Sequence, residues 1–70
     1  MDRQHVRSTN LRSIGYDPDA RVLEIEFHSG SIYQYINVPE QVYLALMNAV
    51  SKGSYFSDHI KERYKFKRIR

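Results

Sequence analysis

The chain contains no cysteine and no tryptophan, and only three glycines and two prolines. Without cysteine there is no disulfide and no thiolate metal site to reinforce the fold, and the absence suits a reducing compartment. No stretch approaches the roughly 20 apolar residues of a membrane span. The opening "MDRQHVRSTN" lacks the apolar segment of a signal peptide, so the expectation is a soluble cytoplasmic protein. Catalytic signatures are missing as well. His5, His28 and His59 lie in three separate segments, none with a second His at ligand spacing. The serines come without a nucleophile elbow, and there is no phosphate loop or dinucleotide fingerprint. These absences point away from an enzyme and toward a module with no metal or cofactor.

What is present is compact and aromatic. Seventy residues make one domain at most, near the size at which a hydrophobic core alone becomes marginal, and the 41% hydrophobic content is that of a globular chain. Six tyrosines and three phenylalanines must fill much of that core. The net charge of +3 is unevenly placed: residues 61–70, "KERYKFKRIR", hold six Lys/Arg against one Glu, a net of +5. The other 60 residues then hold five Lys/Arg against seven Asp/Glu, a net of −2. A basic end on a slightly acidic body is either a solvated tail or a contact for phosphates or acidic surfaces.

Residues 1–9 are polar and are expected to form a flexible segment ahead of a single domain over 10–70. "NLRSIGYD" reads as a short strand, and "DPDA" as a turn in which the Asp side chains bond back to the backbone. "RVLEIEFH" alternates, with Leu23, Ile25 and Phe27 on one face and Val22, Glu24 and Glu26 on the other, the second face reading as solvated. "SIYQYIN" returns after Gly30. A two-residue loop, Ser29-Gly30, would pair Phe27 with Ile32 and leave the tyrosines beside Glu24 and Glu26, but it needs Ser29 at positive φ. The favoured three-residue loop, His28 to Gly30, puts only the glycine in the left-handed region, and pairs Ile25 with Tyr33 and Leu23 with Tyr35. That register places the two tyrosines on the face of Leu23, Ile25 and Phe27, with their hydroxyls needing a polar partner or solvent. "PEQVYLALMNAVSKG" predicts a helix led by Pro39, with Val42, Leu46, Ala49 and Val50 as its apolar stripe and Gly53 as its C-cap. Ser54 then caps a shorter helix carrying Phe56 and Ile60. The fold class is therefore α+β: a three-stranded antiparallel meander, one main helix, a short second helix, and a basic C-terminal segment that either adds a strand or trails as an arm.

Aromatic residues interleaved with cations are what a single-stranded nucleic-acid site needs, because cations neutralise phosphates and aromatic faces stack bases. On this reading Lys61, Arg63, Lys65, Lys67, Arg68 and Arg70 contact phosphate, while Tyr33, Tyr35 and Tyr64 are the stacking candidates. For both tyrosines of strand 31–37 the core role is the favoured reading, as is anchoring of the tail for Tyr64 and Phe66. The competing class is a protein-interaction or self-association module, using a free sheet edge or a patch of Ile32 and Ile36 opposite the tyrosines.

The ordered series Gly15-Tyr16-Asp17, Tyr33-Gln34-Tyr35, Val38-Pro39 and Tyr55-Phe56, running from about residue 6 to 69, resembles the KTSC domain family. That family is named for its place at the C-terminus of some lysyl-tRNA synthetases and also occurs as stand-alone bacterial proteins. Its hallmark is a central Tyr-x-Tyr. Thr9 departs from the pattern, where a second serine is more usual. The resemblance implies no established activity and supplies no catalytic or ligand residues; its synthetase linkage suggests RNA as a partner.

Overall fold

The computed structural model describes residues 1–70. Five strands and two helices follow one another as β1 (Gln4–His5), β2 (Leu11–Asp17), β3 (Val22–Phe27), β4 (Ile32–Tyr35), α1 (Glu40–Asn48), α2 (Lys52–His59) and β5 (Phe66–Arg68). The strands form one antiparallel sheet in the order β1-β2-β3-β4-β5. The α+β class and the central meander are as expected, but the sheet has five strands where three were expected. Both additional strands come from the chain ends. β1 lies within residues 1–9, where Gln4 and His5 pair with Ile14 and Ser13. β5 is the basic segment, which does add a strand.

Local chemistry accounts for the connections. Asp17 Oδ1 accepts from the amides of Asp19 and Ala20 at 3.0 and 3.2 Å, fixing the β2–β3 turn. Within the next hairpin loop, His28 to Gly30, only Gly30 has positive φ, at 96°. The register that follows is Ile25 opposite Tyr33 and Leu23 opposite Tyr35. Both tyrosines therefore share the face of Leu23 and Ile25.

That face carries both helices. Leu11, Ile14, Leu23, Ile25 and Tyr35 from the sheet, Val38, Leu46 from α1, and Phe56 and Ile60 at α2 form one core cluster. Seven of its side chains are essentially solvent-free, each burial worth about 1.5–3 kcal/mol before ordering entropy is set against it. Tyr16 stacks on Tyr43 of α1 at 4.9 Å and donates its hydroxyl to the Val38 carbonyl at 2.5 Å, tying the first helix to the sheet.

The helical boundary differs from expectation. α1 stops at Asn48, Ala49 is extended, and Ser51 rather than Ser54 caps α2 by accepting from the Ser54 amide. Gly53 lies inside α2, not at the end of α1, and Val50 stands fully in solvent instead of on the apolar stripe. The apolar side of α1 is carried by Leu46, with Val42, Tyr43 and Met47 packed beside it.

The opposite face of the sheet is a polar layer in which Glu24 and Ser13 are buried, not solvated as the sequence suggested for Glu24, while Glu26 stays partly exposed. Arg3 donates Nε to Ser13 Oγ at 3.0 Å and forms an ion pair with Glu24, which is only 5% exposed. Gln34 donates to the other Glu24 oxygen at 2.8 Å, and Ser13 donates to Glu26 at 2.8 Å. The chain just before β1 can lie this close because residue 15 is glycine: a Cβ there would stand 2.6 Å from the Asp2 carbonyl oxygen. Every buried side-chain polar atom has a partner.

Candidate nucleic-acid interface

β5 sets the geometry of this end of the molecule. Its register places Phe66 opposite Tyr35, Lys67 opposite Gln34 and Arg68 opposite Tyr33. In an antiparallel pair, directly opposed residues share a face. Phe66 and Arg68 thus lie on the tyrosine face, and Lys67 projects on the reverse with Gln34. Ile69 donates its amide to the Ile32 carbonyl at 2.8 Å, extending the pairing to the end of the chain.

The aromatic residues form one connected group. Phe66 is 5.4 Å from Tyr33 and 5.7 Å from Tyr35 between ring centroids, and Tyr33 is 6.4 Å from Tyr35. Phe27 meets Tyr33 edge-on at 5.6 Å, and Phe56 meets Tyr35 edge-on at 5.5 Å. Exposure separates their roles. Tyr35 is 3% exposed and belongs to the core, Tyr33 is half-buried, and Phe66 is 55% exposed. Tyr64 is half-buried and packed against the core. Of the three tyrosines expected to stack, then, Tyr33 keeps an accessible ring on the sheet, and Phe66 is the exposed ring beside it. The strand alternation of "FKR" was the available signal for Phe66, but its register against β4 is a tertiary fact.

The cations divide by position. Arg68 lies beside Tyr33, and its Nε donates to the Arg70 carbonyl at 2.9 Å. Lys61 follows α2 and lines a groove running to Tyr33 and Tyr35. Arg63, Lys65, Lys67 and Arg70 are exposed along the same terminal segment. The one ion pair in the chain is Arg3–Glu24. Of the six terminal cations, Arg70 lies near enough to Glu26 to act on its carboxyl, and Lys61, Arg63, Lys65, Lys67 and Arg68 are in no ion pair. The Ile32 and Ile36 patch is not formed as expected: Ile32 is 3% exposed within its own chain, while Ile36 is 38% exposed.

The groove lies between the β3–β4 hairpin and α2 and is open, with a volume of about 530 Å³. Phe27, Tyr33, Tyr35 and Phe56 line its apolar part. Burial, with the neighbouring Tyr33 adding to it, pushes the Tyr35 hydroxyl up to about 12, so it stays protonated at neutral pH. No group of three or more His, Cys, Asp or Glu side chains is gathered to hold a metal, and no helix is long and apolar enough to cross a membrane.

Comparison with known proteins gives a consistent picture. The family model of the KTSC domain matches residues 7–64. An uncharacterised protein of Stutzerimonas stutzeri is 44% identical over 70 residues, covering 99% of both chains. A lysine–tRNA ligase of Nostoc sp. is 42% identical over 59 residues; these span 84% of this chain but only 10% of the ligase. The crystal structure of a KTSC domain protein from Yersinia pestis superposes with a TM-score of 0.96 at 46% identity, covering 99% of this chain and 97% of that one.

Proposed function

This chain belongs to the KTSC domain family, a small module that occurs alone and as one segment of certain lysine–tRNA ligases, and from that premise and the geometry of β5 we propose that it is a non-catalytic accessory module that binds single-stranded RNA, in preference to DNA. The observation that carries the reading is the alignment of Phe66 and Arg68 on the face of Tyr33, with Lys61, Arg63, Lys65, Lys67 and Arg68 in no ion pair. Tyr33 and Phe66 offer ring surface for bases. Arg68, Lys65, Lys67, Lys61, Arg63 and Arg70 follow the backbone, and Tyr35 and Tyr64 support the platform from beneath. Stacking supplies about 1–3 kcal/mol per base without sequence preference, and the cations supply a salt-dependent remainder. The ligase relatives add an RNA context, by analogy with proteins of which this chain spans a tenth.

The test is fluorescence anisotropy of a labelled mixed-sequence RNA with wild-type protein and the triple variant Lys65→Ala, Lys67→Ala, Arg68→Ala. Weakening of similar size across several sequences is the expected result. Unchanged affinity would remove the assignment and turn attention to the free edge of β5 as a protein contact, for which light scattering would report self-association.

A further inference from the structure

Tyr35 holds an unusual polar group. The side chain is 97% buried by its 3% exposure, yet its hydroxyl takes part in none of the side-chain hydrogen bonds. It is not an occluded, unsatisfied atom either, since no buried polar atom lacks a partner. The hydroxyl therefore meets solvent where Tyr35 borders the groove. Most of the remaining wall is hydroxyl or amide, from residues such as Asn10, Ser31 and Ser57. Apart from the two tyrosines, the charged or titratable groups in the lining are Lys61 and His28, with no carboxylate, so the groove favours an anion. His28 is itself held by the Ser8 carbonyl at 2.9 Å. The volume falls within the roughly 300–1,000 Å³ of small-ligand sites.

We infer that this groove accepts one unstacked nucleotide of a bound strand, its base on the aromatic floor with the Tyr35 hydroxyl donating to a base carbonyl, and its phosphate at Lys61. This rests on the RNA-binding reading and deepens it: β5 and Tyr33 track the strand, and the groove reads a single base. An aromatic floor suits any flat ring, whereas a fixed hydroxyl donor discriminates among base edges.

The experiment is a titration of the full chain with uridine monophosphate, whose ring carbonyls are acceptors, followed in proton–nitrogen correlation spectra. Expected are shifts at Asn10, Ser31, Ser57 and Lys61, tighter binding of a short oligoribonucleotide through the same resonances, and no shift at Asn10 or Ser31 with ribose phosphate. Tyr35→Phe should weaken the nucleotide about 3- to 10-fold, the worth of one hydrogen bond. Ser57→Trp, at an exposed position on α2, should fill the groove and abolish nucleotide binding, while RNA binding keeps its salt dependence apart from the one Lys61 contact, a slope shallower by about 0.7. Unshifted groove resonances up to about 10 mM nucleotide, where even millimolar affinities register, would overturn the inference. So would equal shifts with ribose phosphate, or an unchanged affinity in Tyr35→Phe. If RNA still binds with its salt dependence in such a case, the groove assignment alone fails. If the nucleotide moves the groove and the oligoribonucleotide binds no tighter, the assignment to a strand fails.

Discussion

Phe66 on the last strand lies 5.4 Å from Tyr33 on the strand beside it, and through this contact the basic segment is held against the Tyr-x-Tyr motif as part of the sheet. Because Phe66 is 55% exposed, its ring contributes less to the fold than to the surface it offers. Phe66→Ala should cost about 1 kcal/mol of stability, since only part of the ring is buried, but about 1–3 kcal/mol of RNA affinity by the loss of one stacked base. Chemical denaturation and anisotropy measured on the same variant separate the two effects. Wild-type RNA affinity in the folded variant would count against Phe66 as a stacking residue.

Tyr16 and Tyr35 make a matched pair for substitution. The Tyr16 hydroxyl donates to the Val38 carbonyl, and that of Tyr35 has no partner in the chain. Tyr16→Phe should therefore destabilise by about 1–2 kcal/mol, whereas Tyr35→Phe should lie within about 0.5 kcal/mol of wild type. Urea midpoints compare them directly. An ultraviolet titration should also show one tyrosine ionising late, near 12, and losing that signature in Tyr35→Phe. With the folded-state value raised above the ordinary 10.0, the associated stability is complete below that pH and is lost as pH climbs toward 12.

The ion pair of Arg3 with Glu24 makes the first residues part of the fold. Arg3→Ala leaves the nearly buried Glu24 carboxylate with Gln34 as its remaining side-chain donor. A loss of about 1–3 kcal/mol is expected, below that of a fully buried pair because the Arg3 side chain is a quarter exposed. Gly15→Ala should act on the same contact by pushing the Asp2 backbone away, costing about 1–3 kcal/mol. Hydrogen exchange at Val6, whose amide bonds to Arg12 at 3.1 Å, would report detachment of this segment. Wild-type protection there in both variants would contradict the contact.

Glu26 gives an acid-side prediction. The hydrogen bond from Ser13 is the main reason its carboxyl lies below the ordinary 4.5; desolvation opposes this, and the guanidiniums of Arg12, Arg3 and Arg70 reinforce it. A carboxyl depressed in the folded state adds stability above its unfolded value, and that stability is lost as pH falls through the folded one. Denaturation midpoints should drop below about pH 4.5, and Ser13→Ala should flatten that drop. An equally steep acid limb in the variant would show that Ser13 is not the cause.

How far this structure is legible in the sequence differs from element to element. The β3–β4 register was readable because one glycine and a period-2 pattern admit few alternatives, and it correctly put Tyr33 and Tyr35 on the apolar face. The end of α1 was not. Gly53 and Lys52 look like a helix terminus, yet Gly53 is 3.6 Å, measured from an added Cβ, from the Ser8 hydroxyl, and this packing of α2 against the chain before β2 has no local signal. β1 is two polar residues with no period to detect, specified through Arg3 and Glu24, which lie 21 positions apart. For the site, the cations were visible as composition. Which aromatic ring accompanies them was not, because the exposure of Phe66 and the burial of Tyr35 follow from a strand pairing between residues about 30 positions apart in sequence.

The most direct measurement is the salt dependence of RNA anisotropy for the wild-type chain and for the Lys65, Lys67, Arg68 alanine variant. Engagement of three to six phosphates predicts a log–log slope of about −2 to −4, at about −0.7 per phosphate on single strands, with the triple variant shallower by about 2. Absence of binding at low salt, or a slope that the triple variant leaves unchanged, would contradict the assignment of β5 as the surface that follows the RNA backbone.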